Sequence, residues 1–419
     1  MEARHSPSVI RIFAALASIA TGISAPGEAQ EVAPVSAPQH SDENGEAMQR
    51  TERAFALTFT YNSDANANIS GGKRTGAAYL QRLGLIGDAD LARILGWTGA
   101  TAHISAHSIV GAGLSTKVGN LLSVSGIEAK PALRLFNLWI EQKFADNASL
   151  RIGQFSAGQE FVLSPTANLF VNSTFGWPGS FAADLPDGGP AYPVAVPGAR
   201  ATVSIDNGKT IIRTAIFAGN PTRGDLRGVE GWRFSRPPFA IAEVARTSGG
   251  GDPAWTVIAG GWASFDRFAD LRVSSGRKLA GDHAIYLVAD ARLWARGSRT
   301  LHGFARVTFS PGDRNLVRRY FDAGITVTAP IATRPHDMIG VAIASAGISP
   351  LQQSGNDRVG TNAPAPAETV IEASYLLQLG KALYVQPNAQ LVLNPYEAAP
   401  ASPPIRRVIV MGVRTSLRL

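Results

Sequence analysis

Apolar and polar residues alternate in run after run along this chain. Between Arg134 and Phe144, the residues Phe136, Leu138, Ile140 and Phe144 fall on one face. Asn137, Glu141 and Lys143 fall on the other, together with Trp139. A period of two over this length predicts a β-strand, because successive side chains of a strand point to opposite sides. Ala145-Asp146-Asn147 supplies a turn, and Leu150, Arg151 and Ile152 resume the alternation on a second strand. After Phe155 the pattern stops. A long polar, Pro- and Gly-rich stretch runs to Gly198 before strands return near Arg200. Connections of that length are uncommon in a compact domain unless they are functional or disordered.

The same alternation recurs before and after this hairpin. Phe55, Leu57, Phe59 and Tyr61 alternate with Ala56, Thr58, Thr60 and Asn62. Strands are predicted over Gly76–Ile86 and Thr98–Ile109, with Asp88 to Leu95 reading as a helix-like turn. A glycine-containing loop is predicted from Gly111 to Lys130. Asp206-Asn207-Gly208 carries the Asn-Gly pair that favours a tight hairpin turn. Further strands follow at 239–246, 255–264, 285–293, 301–309, 318–328, 337–346, 369–378, 383–393 and 406–419. The count reaches about sixteen, each near the 9–11 residues with which a tilted strand crosses a bilayer.

Most of these strands carry one apolar face and one face of Arg, Asp, Glu, Gln and Thr. A β-sandwich would show the same alternation, so periodicity does not choose between the two. Strand number, strand length and the arginines on so many polar faces favour a transmembrane antiparallel β-barrel. Such a barrel satisfies every backbone group without exposing an edge. The excursion after Phe155 then reads as a segment folded into the lumen.

Composition adds an address. Arg4 and Arg11 precede an apolar and small-residue core from Ile12 to Ile23, followed by Gly27-Glu28-Ala29. This is the pattern of an export signal over residues 1–29. Residues 30–52, rich in Ala, Pro, Gln and Glu, read as a disordered mature N-terminus, leaving 53–419 for the barrel. Charged residues are 17% of the chain, the formal net charge is +7, and there is no cysteine, which removes thiolate chemistry and Cys metal sites. The arginines are scattered singly along strands rather than clustered with aromatics, which argues against a nucleic-acid partner.

No enzymatic signature emerges. There is no Gly-x-Ser-x-Gly elbow and no His-Glu-x-x-His pair. Gly111-Ala112-Gly113 lacks the Lys-Ser/Thr spacing of a phosphate loop. His103 and His107 share a strand face, but four residues of strand separate them by about 13 Å, too far for one metal. No cofactor or metal site is expected. The polar strand faces remain as the functional surface, since a pore selects by size, by lining hydrogen-bond groups and by rings of charge. Glu141, Arg151, Gln154, Arg213, Glu243, Asp290, Arg292, Arg306 and Glu372 fall on these faces. Carboxylates can accept from sugar hydroxyls and guanidinium groups can donate to them. Trp139, Trp177 and Tyr192 offer flat apolar faces for stacking.

Several motifs in fixed order resemble the carbohydrate-selective porin family typified by OprB. They include LFNLWIEQKFADNASLRIGQF over 135–155, EFVLSPTANLFVNSTF over 160–175, and Gly189-Pro190-Ala191-Tyr192-Pro193 followed by Pro197-Gly198. Gly96-Trp97, Phe304-Ala305-Arg306, Gln386-Pro387-Asn388-Ala389-Gln390 and Asn394-Pro395 complete the pattern. The resemblance covers roughly Ala54 to the C-terminus. It implies a sixteen-stranded outer-membrane barrel for passive diffusion of mono- and oligosaccharides, and by analogy a homo-trimer in outer-membrane lipid. It also implies that Gln159 to Tyr192 narrows the channel, which adds Glu160, Asn172, Trp177 and Tyr192 to the candidate lining. Two departures stand out. The chain ends Ser-Leu-Arg-Leu rather than in an aromatic residue, and aromatics are only 8% of it, which predicts sparse interfacial girdles. A general pore with weak anion preference, and a structural barrel plugged by residues 156–198, are the competing readings.

Overall fold

The computed structural model describes residues 54–219, 224–250, 252–273, 275–351, 367–396 and 405–419. The proposed export signal and mature N-terminus lie outside them. Sixteen strands close into one antiparallel barrel. In chain order they are β1 Phe55–Ser70, β2 Gly76–Asp90, β3 Ala100–Gly111, β4 Ala132–Phe144, β5 Ala148–Phe155, β6 Val196–Ile205, β7 Thr210–Phe217 and β8 Phe239–Thr247. The second half comprises β9 Trp255–Ala269, β10 Lys278–Arg296, β11 Arg299–Phe309, β12 Val317–Thr328, β13 Met338–Ile348, β14 Glu368–Gln378, β15 Leu383–Leu393 and β16 Arg407–Arg418. Each strand pairs with its sequence neighbours, and β1 pairs with β16 to seal the ring. The terminal Leu419 exchanges both backbone hydrogen bonds with Phe59, at 2.9 Å each. Every backbone row therefore has a partner row, as the hydrocarbon requires.

The alternation seen in the sequence sorts onto the two sides of the wall. On β1, Phe55, Leu57 and Phe59 are exposed outward, while Asn62, Asp64, Asn66 and Asn68 are buried inward. Tight turns close one end of the barrel, as at 145–147, 206–209 and 297–298, and the long connections 112–131, 156–195 and 218–238 lie at the other. In outer-membrane barrels the short turns are periplasmic and the long loops extracellular. Exposed aromatics mark both rims. Phe55, Phe144, Trp255 and Trp294 stand near the turn end, and Tyr79, Phe265 and Phe309 near the loop end. The few outward aromatics are thus placed at the strand ends.

One face assignment is corrected. Ser105 pairs with Asn137 and Ala106 with Leu135, so Phe136 is the extra residue of a β-bulge. A bulge turns the strand and breaks its period. Phe136 therefore points inward, fully buried, 4.6 Å from the His107 ring, and does not meet lipid. Leu138, Ile140 and Ile152 do face outward. On β5 the alternation ends at Gly153, whose φ is +138°. A Cβ there would sit 2.3 Å from the Leu138 carbonyl oxygen.

Two segments fold into the barrel. One is the expected excursion, 156–195, which carries a short helix α1 at Gly179–Asp184. The other is 112–131, which the sequence presents only as a glycine-containing loop. Leu114, Val118, Leu122 and Val124 from this second insert join Leu169, Phe170 and Phe175 from the first. Together they pack on the inner wall at Phe304, Tyr320, Ala342, Val370 and Val410. On the other side Phe161, Val162, Phe181 and Leu185 pack on Phe217, Phe239, Ile241, Trp262 and Tyr286. The barrel thus has an apolar core inside its lumen, which explains apolar inward residues on β8 and β13.

Candidate functional site

The inward polar residues meet across strands because the register places them side by side. Glu141 is opposite Arg151, Arg151 opposite Arg200, and Arg213 opposite Glu243. Arg306 is opposite Asp322, Glu372 opposite Gln390, and Asp64 opposite Arg414. Opposite charges at directly facing positions form cross-strand pairs. Arg151 donates to Glu141 at 2.9 Å through Nε and also pairs with Glu160 of the insert. Arg200 reaches Glu141 at 3.0 Å and Glu160 at 3.2 Å. Two arginines and two carboxylates so form one neutral cluster. The Arg151 guanidinium lies over the Trp139 ring, 3.6 Å from its centroid, and His103 stacks on that ring at 4.8 Å. His103 Nδ1 is 2.7 Å from Asp88, so this histidine is held within the wall.

A second group of wall residues holds the excursion by its backbone. Glu243 accepts from Val162 N at 3.1 Å, from Tyr286 Oη at 2.9 Å and from Arg213 at 2.6 Å. Asp290 accepts from Thr166 N at 3.0 Å, from Thr166 Oγ1 at 2.6 Å and from Ser164 Oγ at 2.5 Å. Glu372 accepts from Val171 N at 2.6 Å and Asn172 N at 2.8 Å. Arg306 does the reverse. It pairs with Asp322 and donates to the carbonyls of Val162 at 3.3 Å, Thr174 at 3.1 Å and Phe175 at 2.8 Å. Such charge-assisted bonds are the strong ones. The same device fastens the second insert. Glu368 accepts from Leu121 N at 2.8 Å and Leu122 N at 2.7 Å. Outside the strands, burial pushes the Glu128 carboxyl up although it accepts from Ser115.

The thirteen candidates therefore separate by exposure. Arg151, Gln154, Glu160, Asn172, Glu243, Arg306 and Glu372 are buried and occupied by other protein groups. Glu141, Trp177, Tyr192, Arg213, Asp290 and Arg292 keep part of their surface open. Asn172 caps a turn through Thr174 N and donates to Gln390 and to the Leu122 carbonyl. Gln154 holds the β7–β8 loop, with Nε2 2.7 Å from the Gly228 carbonyl and Oε1 2.7 Å from Trp232 Nε1. Tyr192 Oη donates to the Ile127 carbonyl at 3.0 Å, tying one insert to the other. Trp177 donates to the Gly188 carbonyl and meets Phe181 edge-on at 5.1 Å. Arg292 stands near the turn end beside Asp252, at 2.5 Å. Sequence reasoning missed Glu368, Asp322 and Arg414, although each sits on a polar strand face that the alternation does mark.

Among the described residues no cluster of His, Asp and Glu could hold a metal ion. A family model described as carbohydrate-selective porin, OprB family, matches residues 74–419. Porin B of Pseudomonas aeruginosa is 24% identical over 378 residues, 81% of this chain and 80% of that protein. Among solved structures, a high-pH structure of Pseudomonas putida OprB superposes with a TM-score of 0.78 at 21% identity, covering 90% of this chain and 97% of that one. Salmonella typhi OmpF shares the fold more distantly, at TM-score 0.54 and 10% identity over 87% of this chain and 97% of that chain.

Proposed function

Because the chain belongs to the carbohydrate-selective porin family, OprB type, we propose how its lumen treats solutes. The protein is an outer-membrane channel for carbohydrates, not an enzyme. Mono- and oligosaccharides diffuse past the excursion 156–195, which narrows the passage. Glu141, Arg213, Asp290, Arg292, Trp177 and Tyr192 contact them, and the buried candidates hold the constriction in shape. The pairing of wall charges carries this reading. Where each guanidinium is matched by a carboxylate, as at Glu141, Arg151, Glu160 and Arg200, an ion gains little. An uncharged polyol meets donors and acceptors side by side. In planar bilayers the folded protein is expected to give discrete conductance steps that fall as sugar is added, and liposomes containing it to swell in monosaccharides. Conductance with a strong anion preference and no response to sugar would favour the general pore. No conductance and no swelling would favour the plugged barrel.

Residues 1–29 act as the export signal in this reading, and three barrels associate. The support for association is a polar patch on the outward wall. Tyr61 Oη lies 2.8 Å from Tyr79 Oη, and both reach Gln81, on the outward side of β1 and β2. Lipid chains cannot satisfy such groups, so a second copy covers them. Native mass spectrometry of the purified outer-membrane protein is expected to give trimers of a chain starting at Gln30. Monomers retaining residue 1 would defeat both points.

A further inference from the structure

The connection between β7 and β8 does not fold into the lumen. It crosses the outside of the barrel where β5, β6 and β7 stop short. Its described residues are 218–219 and 224–238. The Asp225 carboxylate turns inward and accepts four successive backbone N–H groups, from Arg227 at 3.2 Å, Gly228 at 2.6 Å, Val229 at 3.2 Å and Glu230 at 2.9 Å. Arg134 holds the Asp225 carbonyl at 3.1 Å, and the Arg227 carbonyl accepts from Leu135 N at 2.9 Å. Gln154 fixes Gly228 and the Trp232 indole. The loop is thus a built surface, bound to the wall at several points.

What this surface presents is amphipathic. Leu226, Val229, Trp232 and Phe234 are 43%, 44%, 43% and 62% exposed. Phe234 is held there with φ +49° and ψ +34°, a backbone region that L side chains rarely adopt. Under the loop lies a groove of about 390 Å³, floored by Gly153 and Gly198, walled by Ile152 and Ile216, and overhung by Trp232 and Phe234. Ile152 and Ile216 are more than half exposed on the lipid side of the barrel. The groove therefore sits at the loop end of the lipid-facing band, where acyl chains meet headgroups. Arg227 and Arg233 are exposed on the same loop, Arg233 between the two residues that overhang the groove. Among the described residues neither guanidinium is paired with a carboxylate. Arg236 is 4.0 Å from Asp187, and Glu230 is the acidic side chain nearest in sequence on the outer surface.

We propose that this loop is a binding site for a phosphate-bearing lipid of the extracellular leaflet, its acyl chain in the groove and its phosphate on Arg227 and Arg233. Three features share one place: an apolar slot open toward the bilayer, aromatic rings at the interface where they are favoured, and two unpaired cations at headgroup height. Guanidinium forks match phosphate oxygens bidentately. A second copy of this barrel would have to present acidic groups to the same arginines. The outward patch assigned to association above lies on β1 and β2 and offers hydroxyls and an amide.

The test uses the full-length protein purified in neutral detergent. Its occupancy by lipid A, carrying phosphates, is measured by native mass spectrometry against lipid A from which the phosphates have been removed. Phosphate-dependent binding is expected. The double variant Arg227→Gln/Arg233→Gln should bind about thirty-fold more weakly, the effect of two basic side chains at an anionic surface. Phe234→Ser should weaken both lipid forms alike, since it removes chain contact only. Unchanged single-channel conductance in these variants shows that the barrel has formed. Equal affinity for both lipid forms would overturn the proposal. So would an unaltered double variant, displacement by millimolar inorganic phosphate alone, or a crosslink from position 234 to a neighbouring copy.

Discussion

Replacing Arg306 with methionine is expected to widen the channel and to destabilise the barrel by about 3–5 kcal/mol, the cost of breaking a buried pair from one side. The side chain is 1% exposed and acts twice. It neutralises Asp322 on the adjacent strand, and it gathers the carbonyls of Val162, near the start of the excursion, and of Thr174 and Phe175, near its middle. Methionine fills similar space but leaves Asp322 without its cation and the Val162 and Phe175 carbonyls without a donor, while Thr174 keeps the Tyr320 hydroxyl at 3.3 Å. The two roles can be parted. Arg306→Met/Asp322→Asn removes the stranded charge, so much of the lost thermal stability should return. The carbonyls stay unbound, so the raised single-channel conductance should persist. If conductance returned to the parent value along with stability, Arg306 would be holding the wall alone, not the constriction.

Glu372→Gln is expected to act more locally and to shift the size limit for sugars. The carboxylate accepts from two adjacent backbone groups, Val171 N and Asn172 N, one on each oxygen. Glutamine has nearly the same shape but only one acceptor oxygen. Its amide nitrogen would face an N–H donor, leaving one buried donor unpaired at a cost of about 1–3 kcal/mol. Phe170 to Asn172 should then leave the wall more often. Oligosaccharides that barely enter parent liposomes should swell those carrying the variant, with monosaccharide rates little changed. Backbone amides 171 and 172 should exchange hydrogen faster than those of α1. An unaltered size limit together with unaltered exchange at these amides would show that the packing of Phe170 and Phe175 alone positions the segment.

These two residues also show how far the sequence could be read. Arg306 and Glu372 stand on polar strand faces, and their alternation with apolar neighbours marks them as inward. Alternation does not say what an inward residue touches. Both were expected to meet solute, and both are occupied by the backbone of a segment more than a hundred residues away in the chain. Asp290 and Glu243 share that behaviour while keeping different degrees of exposure. A carboxylate that lines a pore and one that fastens a loop look alike in a strand. The distinction lies in which backbone N–H groups arrive opposite it.

Local sequence by itself determined the strand pattern, its two faces and the presence of a long interruption after Phe155. Those features depend on side-chain period and turn chemistry, which act between near neighbours. The Asn-Gly turn after β6 belongs here too, with Asp206, Asn207 and Gly208 all at positive φ. Tertiary structure decided the rest. It placed Phe136 inside through a one-residue bulge, whose position depends on the register with β3. It turned 112–131 inward beside the excursion, because Leu114, Val118, Leu122 and Val124 are buried only against Phe170, Phe175 and the far wall. It converted scattered single charges into neutral pairs, because closing the barrel sets strands of distant sequence in fixed register. The long interruption could be recognised from its composition. Its anchors could not, since a hydrogen bond between a strand carboxylate and a loop amide leaves no trace in either stretch alone.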